Sequence, residues 1–212
     1  MARENPTWGA AQILGALQLL EIPVSRTTVR RYRRDALRRP PSPRWRTFLR
    51  LHAPQIWATD LFTVQTLTLR TFYVLLVVSH DRRRIEHWTV TRNPNAAWIW
   101  RQIIAATPWG TRPRYLIRDR DASYGRDFVA RAAALGIRTI LTPVRAPQAN
   151  AIAERCIGTV RRECLDHLIV INERHLRAVL REDVAYYNRN RPHRSLGLEP
   201  PDGPRPLPTQ RE

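Results

Sequence analysis

The chain has 212 residues, 43% of them hydrophobic, which is enough for one sizeable core and a small additional segment. Its formal net charge of +18 comes from 36 basic residues, all of them arginine, against 18 acidic ones. Because guanidinium groups bind phosphates in a bidentate manner and binding releases counterions, this surplus favours a nucleic-acid partner. GC-rich coding bias would explain arginine in place of lysine, but it does not explain the excess over the acids.

Two cysteines and the absence of a long apolar run disfavour several protein classes. Cys156 and Cys164 stand eight residues apart and are predicted to be core residues, because no further cysteine could complete a zinc site. No apolar run approaches the roughly 18 residues of a membrane-spanning helix, and no signal-peptide pattern is present, so no membrane partner is expected. The expected location is the reducing cytoplasm of a bacterium, near the nucleoid.

The N-terminal residues 1–37 contain two predicted helices, at residues 8–20 and 26–36, separated by a turn. Ser25 can cap the second helix, which is rich in arginine. Two short helices of this kind resemble a partial helix-turn-helix, in which Arg30, Arg31 and Arg34 are the candidate DNA contacts. The alternative is a solvated basic helix packed on the rest of the protein.

Residues 38–54 are rich in proline and arginine and are predicted to form a linker. Three strands joined by hairpin connections follow, and the middle strand is apolar on both faces, as expected for a strand covered on both sides. The strands are predicted at residues 56–64, 71–78 and 84–91, with connections at 66–70 and 80–83. Asp60 lies inside the first of them.

From residue 95 the pattern alternates between helix and strand. The predicted order is a helix at 95–106, a strand at 115–119, a helix at 126–135, a strand at 137–141, a helix after residue 150 and a last helix at 173–190. Asp119 ends the first of these strands. Three antiparallel strands followed by this alternation form the order of a ribonuclease-H-like α/β fold, a mixed sheet flanked by helices. In that order the first strand lies beside the fourth, so Asp60 and Asp119 can become neighbours.

A proline-rich stretch at residues 142–149 leads into a long helical pattern. Apolar side chains spaced by three or four residues are predicted to face the core: Ala153, Ile157, Val160, Cys164 and Leu168. Glu154 lies roughly 100° around the helix from them, on a strip with Gly158 and Arg161. A carboxylate at this place suits a metal site that admits a phosphate backbone. The alternative is an ordinary first-turn glutamate, favoured by the helix dipole.

Three acids therefore stand on predicted scaffold elements: Asp60, Asp119 and Glu154. A carboxylate within an apolar strand is costly to desolvate unless a positive group meets it. Where several carboxylates converge, a divalent metal ion is the usual positive group. The three acids are accordingly the candidate metal ligands and catalytic residues.

In this order and spacing, the acids resemble the Asp-Asp-Glu catalytic core of retroviral integrases and bacterial insertion-sequence transposases. The second acid stands in the segment Asp119-Arg-Asp-Ala-Ser-Tyr124, and Glu154 follows 35 positions later, four residues after Asn150. The segment Tyr187-Asn-Arg-Asn-Arg-Pro-His-Arg-Ser-Leu196 is similar to one that closes this core in bacterial members, so the resemblance covers residues 55–201. The family often has Asp-Asn-Gly or Asp-His-Gly at the second acid, and Asp121 stays open as an alternative ligand.

The resemblance implies a two-metal polynucleotidyl transferase that cuts DNA at the ends of a mobile element and joins those ends to target DNA. Asp60 would bridge two Mg²⁺ or Mn²⁺ ions, with Asp119 on one and Glu154 on the other. The implied partners are element-end DNA, target DNA and further copies of the chain in a homo-oligomer. Further DNA contacts are expected at Gln148, Asn150, Arg161 and Arg162, each with a surface or loop-capping role as its alternative. Gln148 and Asn150 could instead orient Glu154.

The expected organisation is a partial helix-turn-helix segment at 1–37, a linker at 38–54, a catalytic core at 55–199 and a disordered proline-rich tail at 200–212. Two other functions stay open: an inactive or truncated transposase remnant that only binds DNA, and a ribonuclease-H-like nuclease that only hydrolyses. DNA binding indifferent to Mg²⁺ and to Asp60→Ala would support the first. Cleavage of an RNA–DNA hybrid without strand joining would support the second.

Overall fold

The computed structural model describes residues 8–37, 43–108, 111–142 and 150–203, and it describes the side chains of these residues except within 33–46. The chain separates into two compact units, residues 1–50 and 51–212. The division between them falls inside the stretch predicted as a linker. The first unit is helical, and the second contains a five-stranded sheet.

The N-terminal unit contains the two helices that the sequence predicts. They are α1 (Ala10–Leu19) and α2 (Arg26–Leu37). The Ser25 Oγ accepts a hydrogen bond from the backbone N–H of Thr28 at 3.0 Å, which confirms the predicted cap. Ile13 on α1 and Val29 on α2 are each only 5% exposed and form the small apolar core of this pair.

A third helix, α3 (Pro43–His52), occupies part of the region predicted as a linker, and the prediction is wrong there. Trp45, Phe48 and Leu49 repeat at helical spacing, a signal that the proline and arginine content concealed. Pro43 stands at the start of the helix, where a missing backbone N–H is tolerated. A 3₁₀ turn (Ala53–Gln55) then leads into the sheet.

The sheet of the C-terminal unit has the strand order β3-β2-β1-β4-β5. The strands are β1 (Ile56–Gln65), β2 (Thr71–Ser79), β3 (Ile85–Thr91), β4 (Tyr115–Arg118) and β5 (Arg138–Leu141). β2 pairs antiparallel with both β1 and β3, whereas β4 pairs parallel with both β1 and β5. This order confirms the predicted ribonuclease-H-like arrangement, with the first strand beside the fourth.

Helices cover both faces of the sheet. They are α4 (Ala96–Ala106), α5 (Phe128–Ala134), α6 (Ala151–Glu163) and α7 (Glu173–Arg189). Residues of α4 and α5 share one buried cluster with Trp57 of β1 and Val77 of β2. Residues of α6 and α7 share the other cluster with Phe62 and Val64 of β1. Because side chains alternate along a strand, Asp60 has the same parity as Phe62 and Val64 and belongs to the α6 face.

The helix that carries the third acid is shorter than its apolar pattern predicts. Ala153, Ile157 and Val160 are buried as expected, but α6 ends at Glu163, so the predicted continuation to Leu168 is wrong. The His167 ring donates a hydrogen bond to the carbonyl of Arg162 at 2.7 Å, which satisfies one of the carbonyls left open at the helix end. Cys156 is buried, and both cysteines are free thiols, as predicted.

The first residues of the predicted disordered tail are ordered, which corrects that prediction for residues 200–203. The carbonyls of Pro200 and Pro201 each accept a hydrogen bond from Arg82 at 3.0 Å, and Asp202 accepts one from Arg84 Nε at 2.6 Å. Proline lacks a donor but keeps its acceptor, so a proline-rich stretch can be held by arginines. Residues 204–212 lie outside the described ones. None of the helices in the described ranges is long and apolar enough to cross a bilayer.

Candidate active site

Asp60 is a half-buried carboxylate in the middle of β1. Burial is the largest influence that raises the pKa of its carboxyl to about 7, and the nearby carboxylates of Asp119, Glu154 and Asp121 act in the same direction. The backbone N–H of Leu61 donates to Asp60 Oδ1 at 2.8 Å and opposes this shift. Within the described residues, no ion pair joins Asp60 to an arginine.

Asp119 follows directly on β4 and is also half-buried. In the parallel pairing of β1 with β4, the last paired residues are Ala58 and Ile117. Asp60 and Asp119 each stand two residues beyond this pair, so the register places the two acids side by side where the strands part. Burial raises the pKa of the Asp119 carboxyl.

Asp121 has a structural role in the turn that follows. Its Oδ1 accepts the backbone N–H of Ser123 at 2.7 Å and caps a short 3₁₀ turn (Ala122–Tyr124). Its own backbone N–H donates to Asp119 Oδ1 at 3.3 Å. Through these hydrogen bonds, Asp121 shapes the turn and orients the Asp119 carboxylate. Because the Asp121 carboxylate already caps the turn, Asp119 is favoured over Asp121 as the metal ligand.

Glu154 lies on the exposed side of the first turn of α6, and burial raises the pKa of its carboxyl. The start of this helix is attached to β1 through Asn150, which is only 4% exposed. Asn150 Nδ2 donates a hydrogen bond to the carbonyl of Thr59 at 3.3 Å. Since Thr59 directly precedes Asp60, this bond ties the helix of the third acid to the strand of the first. It supports an orienting role for Asn150, whose buried side chain is not open to DNA.

The carboxylates of Asp119 and Glu154 both raise the pKa of Asp60, but the three acids do not close into a complete ligand set. Within the described ranges, no three Asp, Glu, His or Cys side chains are close enough together to hold a metal ion. The donor chemistry does fit Mg²⁺ or Mn²⁺, which prefer carboxylate oxygens. The site therefore fits a divalent metal ion in its ligand chemistry and in its topology. Two of the acids are in register on neighbouring strands, and the third is on the helix that covers this face of the sheet.

Arg118 is a residue of this site that the sequence reasoning missed. It is the last residue of β4 and only 7% exposed. Its guanidinium lies over the rings of Tyr124 and Phe128, at 4.6 and 5.1 Å, and its Nη1 donates to the carbonyl of Asp119 at 2.9 Å. The stack thereby holds the backbone of the second acid. The sequence does contain a signal for this residue, namely an arginine inside an apolar strand. The signal was overlooked because arginine is abundant throughout the chain.

Arg161 and Arg162, both predicted DNA contacts, have different surroundings. Arg161 Nη2 donates to the carbonyl of Thr63 at 2.7 Å, and its guanidinium lies 5.1 Å from the centre of the Phe62 ring. These contacts link α6 to β1 and support a structural role. Arg162 is exposed and lies over Gly158, where a Cβ would stand 3.1 Å from its Nη1. Its predicted role in DNA binding is compatible with this exposure.

The remaining predicted DNA contacts are only partly described. Arg30 and Arg31 are exposed on α2, and Arg31 lies 5.3 Å from the centre of the Tyr32 ring. Arg34 is on the same helix, within the stretch whose side chains are not described. Gln148 lies outside the described residues. DNA contact by these residues stays a prediction.

Comparison with known proteins identifies the C-terminal part of this unit. Residues 135–201, which include Glu154 but not Asp60 or Asp119, match the family model described as Integrase core domain. An uncharacterized 39.2 kDa protein of the insertion element IS476 from Xanthomonas euvesicatoria is 29% identical over 146 residues. The match covers 68% of this chain and 42% of the relative, so the chain spans less than half of that protein's length.

Two solved catalytic cores have the same fold. The HTLV-2 integrase catalytic core domain in complex with magnesium, in its trimeric form, superposes with a TM-score of 0.55 at 12% identity, over 70% of this chain and 94% of that one. The catalytic domain of Mos1 mariner transposase gives 0.56 at 13% identity, over 67% and 74% of the two chains. These likenesses confirm the ribonuclease-H-like integrase fold, and with the family match they confirm the resemblance found in the sequence.

Proposed function

We propose, on the premise that residues 135–201 belong to an integrase core domain, that this protein is a metal-dependent polynucleotidyl transferase of a mobile element. It would cut DNA at the ends of the element and join them to target DNA. The observation that carries the proposal is the environment of Asp60. In a chain with 36 basic residues, this desolvated carboxylate has a pKa raised to about 7 and, among the described residues, no arginine paired with it. An acid kept apart from arginine in this way remains available to another cation.

The residues that would hold two Mg²⁺ or Mn²⁺ ions are Asp60, Asp119 and Glu154. When bound, the ions would acidify the attacking water or DNA 3′-hydroxyl and offset charge on the leaving oxygen. The chain's own contribution is to fix the ligands. Arg118 holds the backbone of Asp119, and Asn150 ties the start of α6 to β1. The magnesium in the complex of the HTLV-2 integrase core supports this choice of metal.

Element-end and target DNA are the proposed partners, and the arginines exposed on α2 and at Arg162 are proposed to contact their phosphates. A homo-oligomer is the proposed working form. The trimeric form of the HTLV-2 integrase core supports it by analogy of fold. Sedimentation of the protein with and without element-end DNA would measure the oligomeric state and test this proposal.

A second candidate is a transposase remnant that binds DNA without catalysing a reaction on it. One observation favours it: the three acids do not form a complete ligand set in the described residues. Metal binding separates the two candidates directly. Mn²⁺ should bind the wild type and not Asp60→Asn if the site is functional, whereas a remnant should bind it equally weakly in both.

Nicking and strand transfer with Mn²⁺ on DNA that carries the element ends test the function. Glu154→Gln should lose both reactions and keep its DNA affinity. Glu182→Gln, which changes an exposed glutamate of α7, is the matched control and should stay active. A wild type that binds DNA but neither nicks nor joins it would leave the remnant as the function. Cleavage of an RNA–DNA hybrid without joining would indicate a hydrolytic nuclease.

A further inference from the structure

Helix α7 has one buried face and one face rich in arginine. Its buried side chains pack in the cluster on the α6 side of the sheet, each at most 6% exposed: Leu176, Leu180, Val184 and Tyr187. This packing fixes which residues point outward. Residues at steps of three or four then form an outward row, here called the α7 stripe: Arg174, Ala178, Arg181, Ala185 and Arg189. All are exposed except Ala185, which is half-buried.

The positive charge of the α7 stripe is not neutralised by its neighbours. Glu173, at the start of the helix, is paired with Arg177 at 2.8 Å, and Arg177 also donates to the carbonyl of Val90. Among the described residues, no ion pair involves the stripe arginines. Glu182 is an exposed acid of α7 that lies roughly 100° around the helix from Arg181 and roughly 20° from Arg189, two turns further on. The stripe therefore carries three guanidinium groups that have no ion-pair partner among the described residues, against one exposed carboxylate beside them.

Two adjoining grooves extend this charge beyond the helix. One runs between the β1–β2 connection, the end of β3 and the start of α7, and its lining includes Arg70, Arg92 and Arg174. The other shares Glu173 and Arg174 with it and continues along α7 to Arg181. Arg70 and Arg92 are both exposed. Among the lining residues that the structure describes, the one acid in either groove is Glu173, which already has an arginine partner.

We propose that the α7 stripe and these two grooves form a second DNA-binding surface, one that holds duplex phosphates and contains none of the contacts predicted around Glu154. From Arg174 to Arg189 the stripe runs about 22 Å at 1.5 Å per residue, the length of roughly six base pairs at 3.4 Å per phosphate. The small side chains of the alanines between the arginines do not project from the helix, so a phosphate backbone can lie along the stripe. The choice of DNA as ligand rests on the proposed function.

The chemistry of the stripe favours DNA over an acidic protein. Protein interfaces obtain most of their affinity from large aromatic or aliphatic anchors that enter pockets. The stripe offers guanidinium and methyl groups and no such anchor, and the one large aliphatic side chain exposed in the described lining of the grooves is Ile171. Arginine forks match phosphate oxygens bidentately, and duplex DNA presents those oxygens at a regular spacing.

The test compares two double variants that lose the same charge. Arg174→Gln with Arg181→Gln removes two stripe arginines. Arg101→Gln with Arg131→Gln removes two exposed arginines from α4 and α5, which cover the opposite face of the sheet. Duplex affinity is measured against salt concentration, with Glu154→Gln present in every protein to prevent cleavage. The stripe double should make the negative slope of log K (the association constant) against log salt shallower by about 1.8, or 0.9 per lost phosphate contact, and weaken binding at least ~10-fold at low salt. The control double should change the slope by less than about 0.3.

Each result has one meaning, provided that circular dichroism and thermal melting show both doubles to be folded. Retention of the wild-type slope by Arg174→Lys with Arg181→Lys would support a phosphate surface, because lysine keeps the charge. Equal losses in both doubles would overturn the proposal in favour of general electrostatic attraction. No loss in the stripe double would leave α7 as a solvated face. Stripe-dependent binding of polyglutamate in preference to DNA would replace DNA with an acidic protein.

Failure of this proposal is distinguishable from failure of the proposed function. A wild type that nicks and joins DNA, while the stripe double binds normally, would remove the second surface and leave the catalytic function intact. A wild type whose binding depends on the stripe but which neither nicks nor joins would keep the surface and remove the catalytic function. The two assays use the same DNA substrates, with Glu154 intact for nicking and joining and replaced by glutamine for binding.

Discussion

Two acids associated with α6 have opposite electrostatic surroundings. Glu163, at the end of the helix, accepts two hydrogen bonds from Arg191, at 2.7 and 2.5 Å, which lower the pKa of its carboxyl. Asp60, on the strand beneath α6, has a pKa raised to about 7 and, within the described ranges, no arginine paired with it. Basic residues outnumber acids two to one here, 36 to 18, yet the described ion pairs involve only five acids: Glu86, Glu163, Glu173, Glu199 and Asp202. The comparison indicates that an acid which is both desolvated and without an arginine partner marks the candidate site.

Asp183 on α7 shows the limit of this rule. Burial raises the pKa of its carboxyl to about 6, and Glu163 acts in the same direction, although Arg191 opposes the shift. It therefore resembles Asp60 in its titration. The difference is that three other acids, from two segments distant in the sequence, raise the pKa of Asp60. Convergence of several acids is the mark of the site, because a single buried acid has many structural causes.

Arg118 gives the largest expected effect, because its buried guanidinium donates to the carbonyl of the second acid and yet forms no ion pair with a side chain in the described residues. Arg118→Lys keeps the charge but loses the flat stack on Tyr124 and Phe128 and the fork that reaches Asp119. We expect the free energy of unfolding to fall by about 2–3 kcal/mol, measured by urea denaturation. The Mn²⁺ affinity of the folded fraction should fall as well.

The control for this change is Arg120→Lys, which alters an exposed arginine in the same turn. It should change the free energy of unfolding by less than about 0.5 kcal/mol. If Arg118→Lys keeps wild-type stability and Mn²⁺ affinity, the buried guanidinium has no part in holding Asp119. A loss of stability alone would assign Arg118 to the core and not to the metal site.

Asp60→Asn sharpens the comparison through pH. The folded-state pKa is raised from 3.8 to about 7, so the folded protein keeps this proton to higher pH than the unfolded chain does. The stability that Asp60 contributes is therefore present below pH 3.8 and is lost as pH rises to about 7. In the metal-free protein at pH 8 we expect Asp60→Asn to be more stable than the wild type by roughly 2 kcal/mol, with little difference near pH 4.

Denaturation curves of both proteins from pH 4 to 8, with a chelator present, provide this measurement. The difference between them cancels the opposite contribution of His80, whose pKa burial lowers to about 4. That histidine favours the fold above its ordinary pKa and loses this contribution as pH falls toward 4. A constant difference across the range would show that Asp60 titrates normally and would break the contrast with Glu163.

Asp183→Asn gives the smallest expected effect and tests whether a raised pKa without convergence matters only for stability. The amide avoids the burial of a charge, so the free energy of unfolding at pH 8 should rise by about 1 kcal/mol. The gain should vanish as pH falls below about 4, where the wild-type carboxyl is protonated in both states. Nicking and strand transfer should be unchanged. Lower stability at pH 8 would mean that Arg191 pairs with Asp183 more strongly than with Glu163.

The sheet and the pairing of two acids could be predicted because they depend on patterns that a sequence carries. Alternating apolar and polar residues and continuous apolar runs located the strands. The order of strands and helices along the chain then predicted that the first strand lies beside the fourth. The helix Pro43–His52 was missed because composition was read in place of periodicity. The order of residues 200–203 was missed because it depends on Arg82 and Arg84, more than 110 positions earlier.

The candidate site could be predicted as a set of acids, but the side chains that support it could not. Arg118, Asn150 and Arg161 act through backbone carbonyls, and sequence does not indicate which carbonyl a long side chain reaches. Because both residues are polar and stand near Glu154, Arg161 was predicted to contact DNA, and Asn150 to contact DNA or orient Glu154. Burial and stacking, which are set by tertiary packing, support structural roles for them.

The early end of the β1–β4 pairing has a consequence for solubility. Beyond Ala58, β1 continues to Gln65 without β4 beside it, so this edge could template strand addition and aggregation. Its polar groups are taken up by side chains: Thr59 by Asn150, the Leu61 N–H by Asp60 and Thr63 by Arg161. The opening beside the first acid is therefore also a sheet edge, which is protected by side chains and not by a neighbouring strand. Weakening Asn150 or Arg161 would expose that edge, and self-association would then precede any defect in DNA binding.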